Sequence, residues 1–194
     1  MPCTLPAALA DAAVCRGSFH AVLRTDVPDT VFSAFSAALQ KAQADGSLLT
    51  ASLFRCESHL FFYAEGLNRP FTPQGLCPAL DAALLPWPPA LGEASPRPWA
   101  AMQPYFYHDI PTTAADWQRG RCPQRRRGRI ALLPPDSWCS YMEHHLRIVT
   151  EGLVEGDRWH LICVQEGVLF SYLEEPRTNV NIRHQPGAHS PELD

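Results

Sequence analysis

At 194 residues, with 46% hydrophobic and 19% charged side chains, the chain suits one ordinary domain or two small fused ones, and it is long enough to bury a real core. A net charge of −4 argues against a dedicated nucleic-acid binder, which is usually basic overall. No apolar run approaches the length that crosses a membrane, so a soluble protein is expected.

Residues 1–18 read as an N-terminal arm: Ala-rich, without a basic leader region, and interrupted by Asp11. A first repeat spans 19–112. It opens with a strand, Phe19 to Arg24, and continues with a helix from about Pro28 to Asp45. There Val31, Phe32, Phe35, Ala38, Leu39 and Ala42 recur at three- and four-residue steps. Pro28 suits the first helical turn and Gly46 the stop. Strands at Leu48–Arg55 and His59–Glu65 form a hairpin through Cys56-Glu57-Ser58. A short helix over 75–85, a Pro-rich loop and a strand from Gln103 to Ile110 complete a β-α-β-β-α-β order, the ferredoxin-like arrangement. An Arg/Pro-rich linker, 113–127, reads as a solvated loop rather than a phosphate-binding one. The second repeat, 128–176, gives a strand at Arg129–Leu133, a helix from about Asp136 to Leu153, and strands at Arg158–Gln165 and Val168–Glu174. A tail, 177–194, takes the place of its last helix and strand, so this repeat is truncated.

Sliding the chain by 109 residues, 172 minus 63, lays Tyr63-Ala64-Glu65 on Tyr172-Leu173-Glu174. Without a gap, Leu60-Phe61 falls on Leu169-Phe170, Glu57 on Glu166 and Leu23 on Leu132. Phe32 and Ser36 then face Tyr141 and His145. The fold class expected is α+β: two ferredoxin-like repeats, the second truncated. Each repeat has one bare apolar sheet face, and pairing the two faces makes an intrachain dimeric α+β barrel.

Tyr141 and His145 are four apart, so a helix stands them on one face, one turn from each other. A phenol and an imidazole so placed can bracket two oxygens of a small ligand, one giving and one accepting a proton. Glu151, nearly two turns on, could orient a sugar hydroxyl. The competing reading of the pair is core packing with satisfied polar tips. Tyr105 and Tyr107 alternate along a strand and are expected on the same side of the sheet, as pocket lining or plain packing.

The stretch Tyr141-Met142-Glu143-His144-His145-Leu146-Arg147-Ile148-Val149-Thr150-Glu151-Gly152-Leu153 resembles the L-rhamnose mutarotase signature, in which Tyr-x-x-Arg-His is followed by Ile-Trp-Pro-Glu-Leu. The runs Trp159–Val164 and Gly167–Tyr172 are similar to that family's two central strands, and the Tyr-Phe-Tyr-His-Asp ending of the first copy is similar to its C-terminal segment. The chain departs from the family at His144, where an arginine stands, and at Val149-Thr150 in place of Trp-Pro. The family's paired tryptophans have no counterpart, although Trp87, Trp99, Trp138 or Trp159 offers an indole. The resemblance implies a dimeric α+β barrel that interconverts the anomers of an aldose without a cofactor. Tyr141 and His145 would be the proton carriers, with Glu151, Trp159, Tyr105 and Tyr107 binding substrate.

The seven cysteines show no C-x-x-C pair, and Cys15, Cys56, Cys77, Cys122, Cys139 and Cys163 read as free, mostly buried thiols rather than disulfide or metal ligands. No metal site is expected, since only His144-His145 adjoin and helical neighbours point about 100° apart. The functional expectation is a cytoplasmic mutarotase-like enzyme, monomeric or homodimeric, taking a small sugar and binding neither nucleic acid nor membrane. The alternatives are a non-catalytic carbohydrate- or small-ligand-binding barrel, and a barrel oxygenase or haem-handling relative.

Overall fold

A computed structural model describes residues 6–120, 122–151 and 155–181, with the side chains of 148–151, 155 and 179–181 outside the description. The chain is α+β and divides into two compact units: Met1–Met102 with Pro111–Arg121, and Gln103–Ile110 with Cys122–Asp194. No helix among the described residues is long and apolar enough to cross a membrane.

In the first unit the order is β1 (Val14–Val22), α1 (Asp29–Ala44), β2 (Leu48–Cys56), β3 (His59–Leu67), α2 (Pro78–Ala82) and the start of β4 (Ala100–Tyr107). The strands lie β2-β3-β1-β4, all antiparallel. β1 begins inside the segment expected to be an arm, because Val14 and Cys15 pair with Leu67 and Gly66. Alternation sends Leu60, Phe62 and Ala64 to one sheet face, where Phe35, Leu80, Leu84 and Trp99 close a core. Phe35 meets Phe62 edge-on at 5.7 Å, and Trp99 Nε1 donates to Asp81 Oδ1 at 2.9 Å. Gly66 is a close-approach position: a Cβ there would stand 2.3 Å from the Arg69 carbonyl oxygen. Gly66→Ala is therefore expected to lower stability by about 1–3 kcal/mol, read as a shift in the urea midpoint.

The second unit holds the remainder of β4, β5 (Arg125–Leu132), α3 (Trp138–Glu151), β6 (Glu155–Asp157), β7 (Leu161–Gln165), β8 (Val168–Glu175) and β9 (Asn179–Asn181). Its strands lie β4-β7-β8-β5, again antiparallel, with β6 and β9 as a separate pair. β5 starts within the expected linker and β9 within the expected tail. Among the described residues five cysteines are free, but Cys122 is disulfide-bonded, which corrects its reading as a thiol. Cys56, at the end of β2, and Cys139 are exposed, against the reading of the cysteines as mostly buried thiols.

The repeat is visible in the pairing. Cys56 faces His59 as Gln165 faces Val168, and Ser52 faces Tyr63 as Leu161 faces Tyr172, each at the 109-residue shift. Glu57 and Glu166 occupy the same turn position with φ of 53° and 48°, a left-handed conformation uncommon outside glycine. The strand on the far side of each hairpin's second strand, β1 or β5, follows a different shift. Arg16 faces Glu65 and Arg126 faces Glu174, which sets β1 on β5 at 110. Leu132 therefore corresponds to Val22, not to Leu23, because the second copy is one residue shorter between β5 and β7.

Candidate functional site

In α3 the Tyr141 and His145 rings lie one turn apart, centroids 4.2 Å from each other and planes tilted by 43°. His145 Nδ1 lies 2.9 Å from the Tyr141 carbonyl oxygen. A carbonyl only accepts, so Nδ1 carries the proton and Nε2 keeps the lone pair in the neutral ring. Burial holds the His145 pKa below its ordinary value and the neighbouring His144 adds to this, while the bond to the Tyr141 carbonyl works the other way.

β4 delivers the facing aromatics through a bulge. Its register with β7 shifts between Pro104 and Phe106, leaving Tyr105 as the extra residue. Regular alternation would send Tyr105 and Phe106 to opposite faces. With the bulge, the Tyr105 ring comes 5.9 Å from His145 and the Phe106 ring 4.9 Å from it. Tyr105 also stands 6.0 Å from Tyr141. Its hydroxyl is buried without a well-formed hydrogen bond, and burial, then the adjacent Tyr141 phenol, push its pKa up. Tyr107, expected beside Tyr105, is instead exposed and makes no ring contact among the described residues.

Two further histidines join this group. His108 packs edge-on to Phe106 at 4.8 Å and lies 5.4 Å from His160. Burial, with the charges of Arg177 and His145, lowers the His108 pKa to about 4. Gly156 makes room for this ring, since a Cβ there would be 2.0 Å from His108 Cγ. Because the folded His108 resists protonation, stability should fall as pH drops from about 6.5 toward 4, where only the unfolded chain takes the proton. His108→Asn is expected to lessen the loss of Tm between pH 7 and pH 5. The strand pattern in the sequence gave no reason to group these histidines with α3; the bulge does so.

The other expected ligand-binding residues fare differently. Trp159 is buried in the turn before β7, its backbone N–H bonded to Asp157 Oδ1 and the Arg158 guanidinium 5.4 Å above its indole. Glu151 ends α3, and its side chain lies outside the described residues. A cavity of ≈ 460 Å³ opens near the start of α3, lined by Leu132, Leu133, Pro135, Trp138, Glu166 and Gly167. Neither Tyr141 nor His145 lines it.

The helix correspondence also matters. The shift changes from 110 to 109 between β5 and β7, and α3 lies in that interval. At 109, Tyr141 and His145 replace Phe32 and Ser36. At 110, His145 replaces the core residue Phe35 and Tyr141 replaces Val31.

A second polar group is carried by the repeat itself. In the first unit the buried Tyr63 hydroxyl donates to Glu65 Oε1 at 2.5 Å, and Arg119 binds both Glu65 oxygens, at 2.5 and 2.7 Å. Arg16 Nε donates to the Tyr63 hydroxyl at 3.0 Å, with its guanidinium 5.2 Å over Trp117. Burial alone would raise the Glu65 pKa, but the Arg119 charge and hydrogen bonds outweigh it and hold the carboxyl low. In the second unit Tyr172 donates to Glu174 at 2.5 Å, and Arg126 approaches the same carboxylate at 3.8 Å. The signal is the Tyr-x-Glu identity of the two copies, which in the sequence sets the register of the repeat and does not by itself mark a polar cluster.

No family model, curated protein or solved structure matches the chain. The resemblance to rhamnose mutarotases rests on the sequence alone: residues 141–153, the runs Trp159–Val164 and Gly167–Tyr172, and the Tyr-Phe-Tyr-His-Asp ending of the first copy.

Proposed function

We propose that the second unit interconverts the anomers of an aldose by acid/base chemistry, in the manner of a mutarotase and without a cofactor. The observation that carries this reading is the tie between His145 Nδ1 and the Tyr141 carbonyl, which leaves Nε2 as a base directed by its own helix. His145 Nε2 would take the proton of the anomeric hydroxyl while Tyr141 gives one to the ring oxygen. The C1–ring-oxygen bond breaks, an open-chain aldehyde forms, and the same carriers run in reverse after C1 turns its other face. The proposal retains the ferredoxin-like reading of both repeats and their pairing into a barrel; the equivalent three-strand orders β2-β3-β1 and β7-β8-β5 support the repeat, while β4 flanks β1 in the first unit and β7, the counterpart of β2, in the second. It also retains a sugar as the small-molecule partner, a monomer or homodimer, and a cytoplasmic setting.

Saturation-transfer NMR of anomer exchange, run over a panel of deoxy- and aldohexoses, tests the reading. Enhanced exchange of at least one sugar is expected; rates unchanged by the protein across the panel would sink the idea. A second reading, sugar binding without turnover, is favoured by the position of the cavity away from Tyr141 and His145. Binding with no exchange would select it.

A further inference from the structure

β5 is the last strand of the second unit's sheet, and among the described residues nothing pairs with its outer edge. Every residue from Arg125 to Leu132 is exposed except Arg127, which is half-buried. Natural edge strands are commonly blunted by charge, yet here all the charge has one sign. Arg126 and Arg127 are paired, with Glu174 at 3.8 Å and Glu175 at 2.8 Å. Arg125 and Arg129 have no ion-pair partner among the described residues.

The Leu133 N–H donates to the Gly167 carbonyl at 2.7 Å. Pairing alternates along an antiparallel ladder, so the N–H and C=O groups of Leu132, Ile130 and Gly128 point away from β8. Those outward positions also carry apolar side chains, Leu132 at 80% exposure and Ile130 at 39%. Where the strand ends, the cavity beside Leu132, Leu133 and Trp138 opens. Basic side chains, backbone groups unmatched among the described residues, and an apolar recess thus lie along one strand.

We propose that β5 is a docking edge for an extended acidic segment of another protein, whose backbone pairs with Gly128, Ile130 and Leu132, whose carboxylates meet Arg125 and Arg129, and whose apolar side chain enters the recess beside Trp138. This is recognition by strand addition, with main-chain bonds giving affinity and side chains giving selectivity. A second copy of β5 fits less well, since antiparallel self-pairing about Gly128 sets Arg127 against Arg129. A polyanion such as nucleic acid would satisfy the arginines but neither the outward amides nor the leucine and isoleucine.

The test is fluorescence anisotropy with a labelled ten-residue peptide of alternating glutamate and valine ending in phenylalanine. Its comparators are the same peptide N-methylated at alternate residues, a lysine-for-glutamate version, and a labelled single-stranded DNA. Binding of the acidic peptide is expected, weakened roughly tenfold or more by N-methylation, by Arg125→Glu with Arg129→Glu, and by Gly128→Pro. The Gly128 N–H points outward, so proline removes that donor without breaking the ladder to β8. The N-methylated peptide reports on the unaltered protein and does not depend on how the variants fold. Absence of binding, equal binding of the N-methylated peptide, or DNA binding as tight as that of the peptide would overturn the proposal. So would a dimer of the free protein that Gly128→Pro dissociates, because the edge would then belong to a second copy.

Discussion

Replacing Arg119 with methionine is expected to cost about 3–5 kcal/mol of stability at neutral pH, measured by urea unfolding. The reason is the carboxylate left behind. Glu65 is fully buried, and Arg119 supplies both charge compensation and two hydrogen bonds to it. With the pair intact the folded pKa of Glu65 is depressed, so its stabilising contribution is present above the ordinary glutamate value of about 4.3 and is lost as pH falls through the folded value. In Arg119→Met the sign reverses: burial now favours the protonated acid, and the deficit should shrink as the solution is acidified. Glu65→Gln added to Arg119→Met should recover part of the loss at pH 7, because a neutral amide still accepts the Tyr63 hydroxyl. A deficit independent of pH would mean that packing of the Arg119 side chain, not its charge, stabilises this unit.

His145→Gln is expected to reduce aldose anomer exchange by about 10²–10⁴-fold, the usual contribution of a positioned general base. Loss of the imidazole's contacts with Tyr141 and Phe106 should change stability far less, by about 1–2 kcal/mol. Because burial keeps the His145 pKa below its ordinary value, the base stays unprotonated to lower pH, and the acid limb of the exchange rate should lie below about 6.5. Rates measured from pH 5 to 8 check this. An acid limb above 6.5 would assign the base to another group.

What the sequence disclosed was local or periodic. The hairpins, the α1 stripe and the 109-residue match of Tyr-x-Glu all follow from alternation and three-to-four spacing, which neighbouring residues set among themselves. The turn shared by Glu57 and Glu166 was implicit in the same match. The features that escaped depend on partners far along the chain. The bulge at Tyr105 is a property of register with β7, and it alone decides that Phe106 and His108 join Tyr105 near α3 while Tyr107 does not. The Arg119–Glu65 pair joins residues 54 apart, and nothing in an arginine-rich run distinguishes the one arginine that enters a core. Gly17 interrupts the apolar pattern of β1 and points to a later start, although the strand pairs without a break from Val14 to Val22. The single-residue change of shift between the copies was invisible for the same reason, since strand pairing locates it.

The central claim, that Tyr141 and His145 exchange protons with a sugar, is tested most directly by the anomer exchange rate of the most responsive aldose with wild type, Tyr141→Phe and His145→Gln at equal concentration and pH. Tyr141→Phe keeps the ring and its packing and removes only the hydroxyl. Both variants are predicted to bring exchange close to the protein-free rate while remaining folded. Exchange at the wild-type rate in either folded variant would contradict the account.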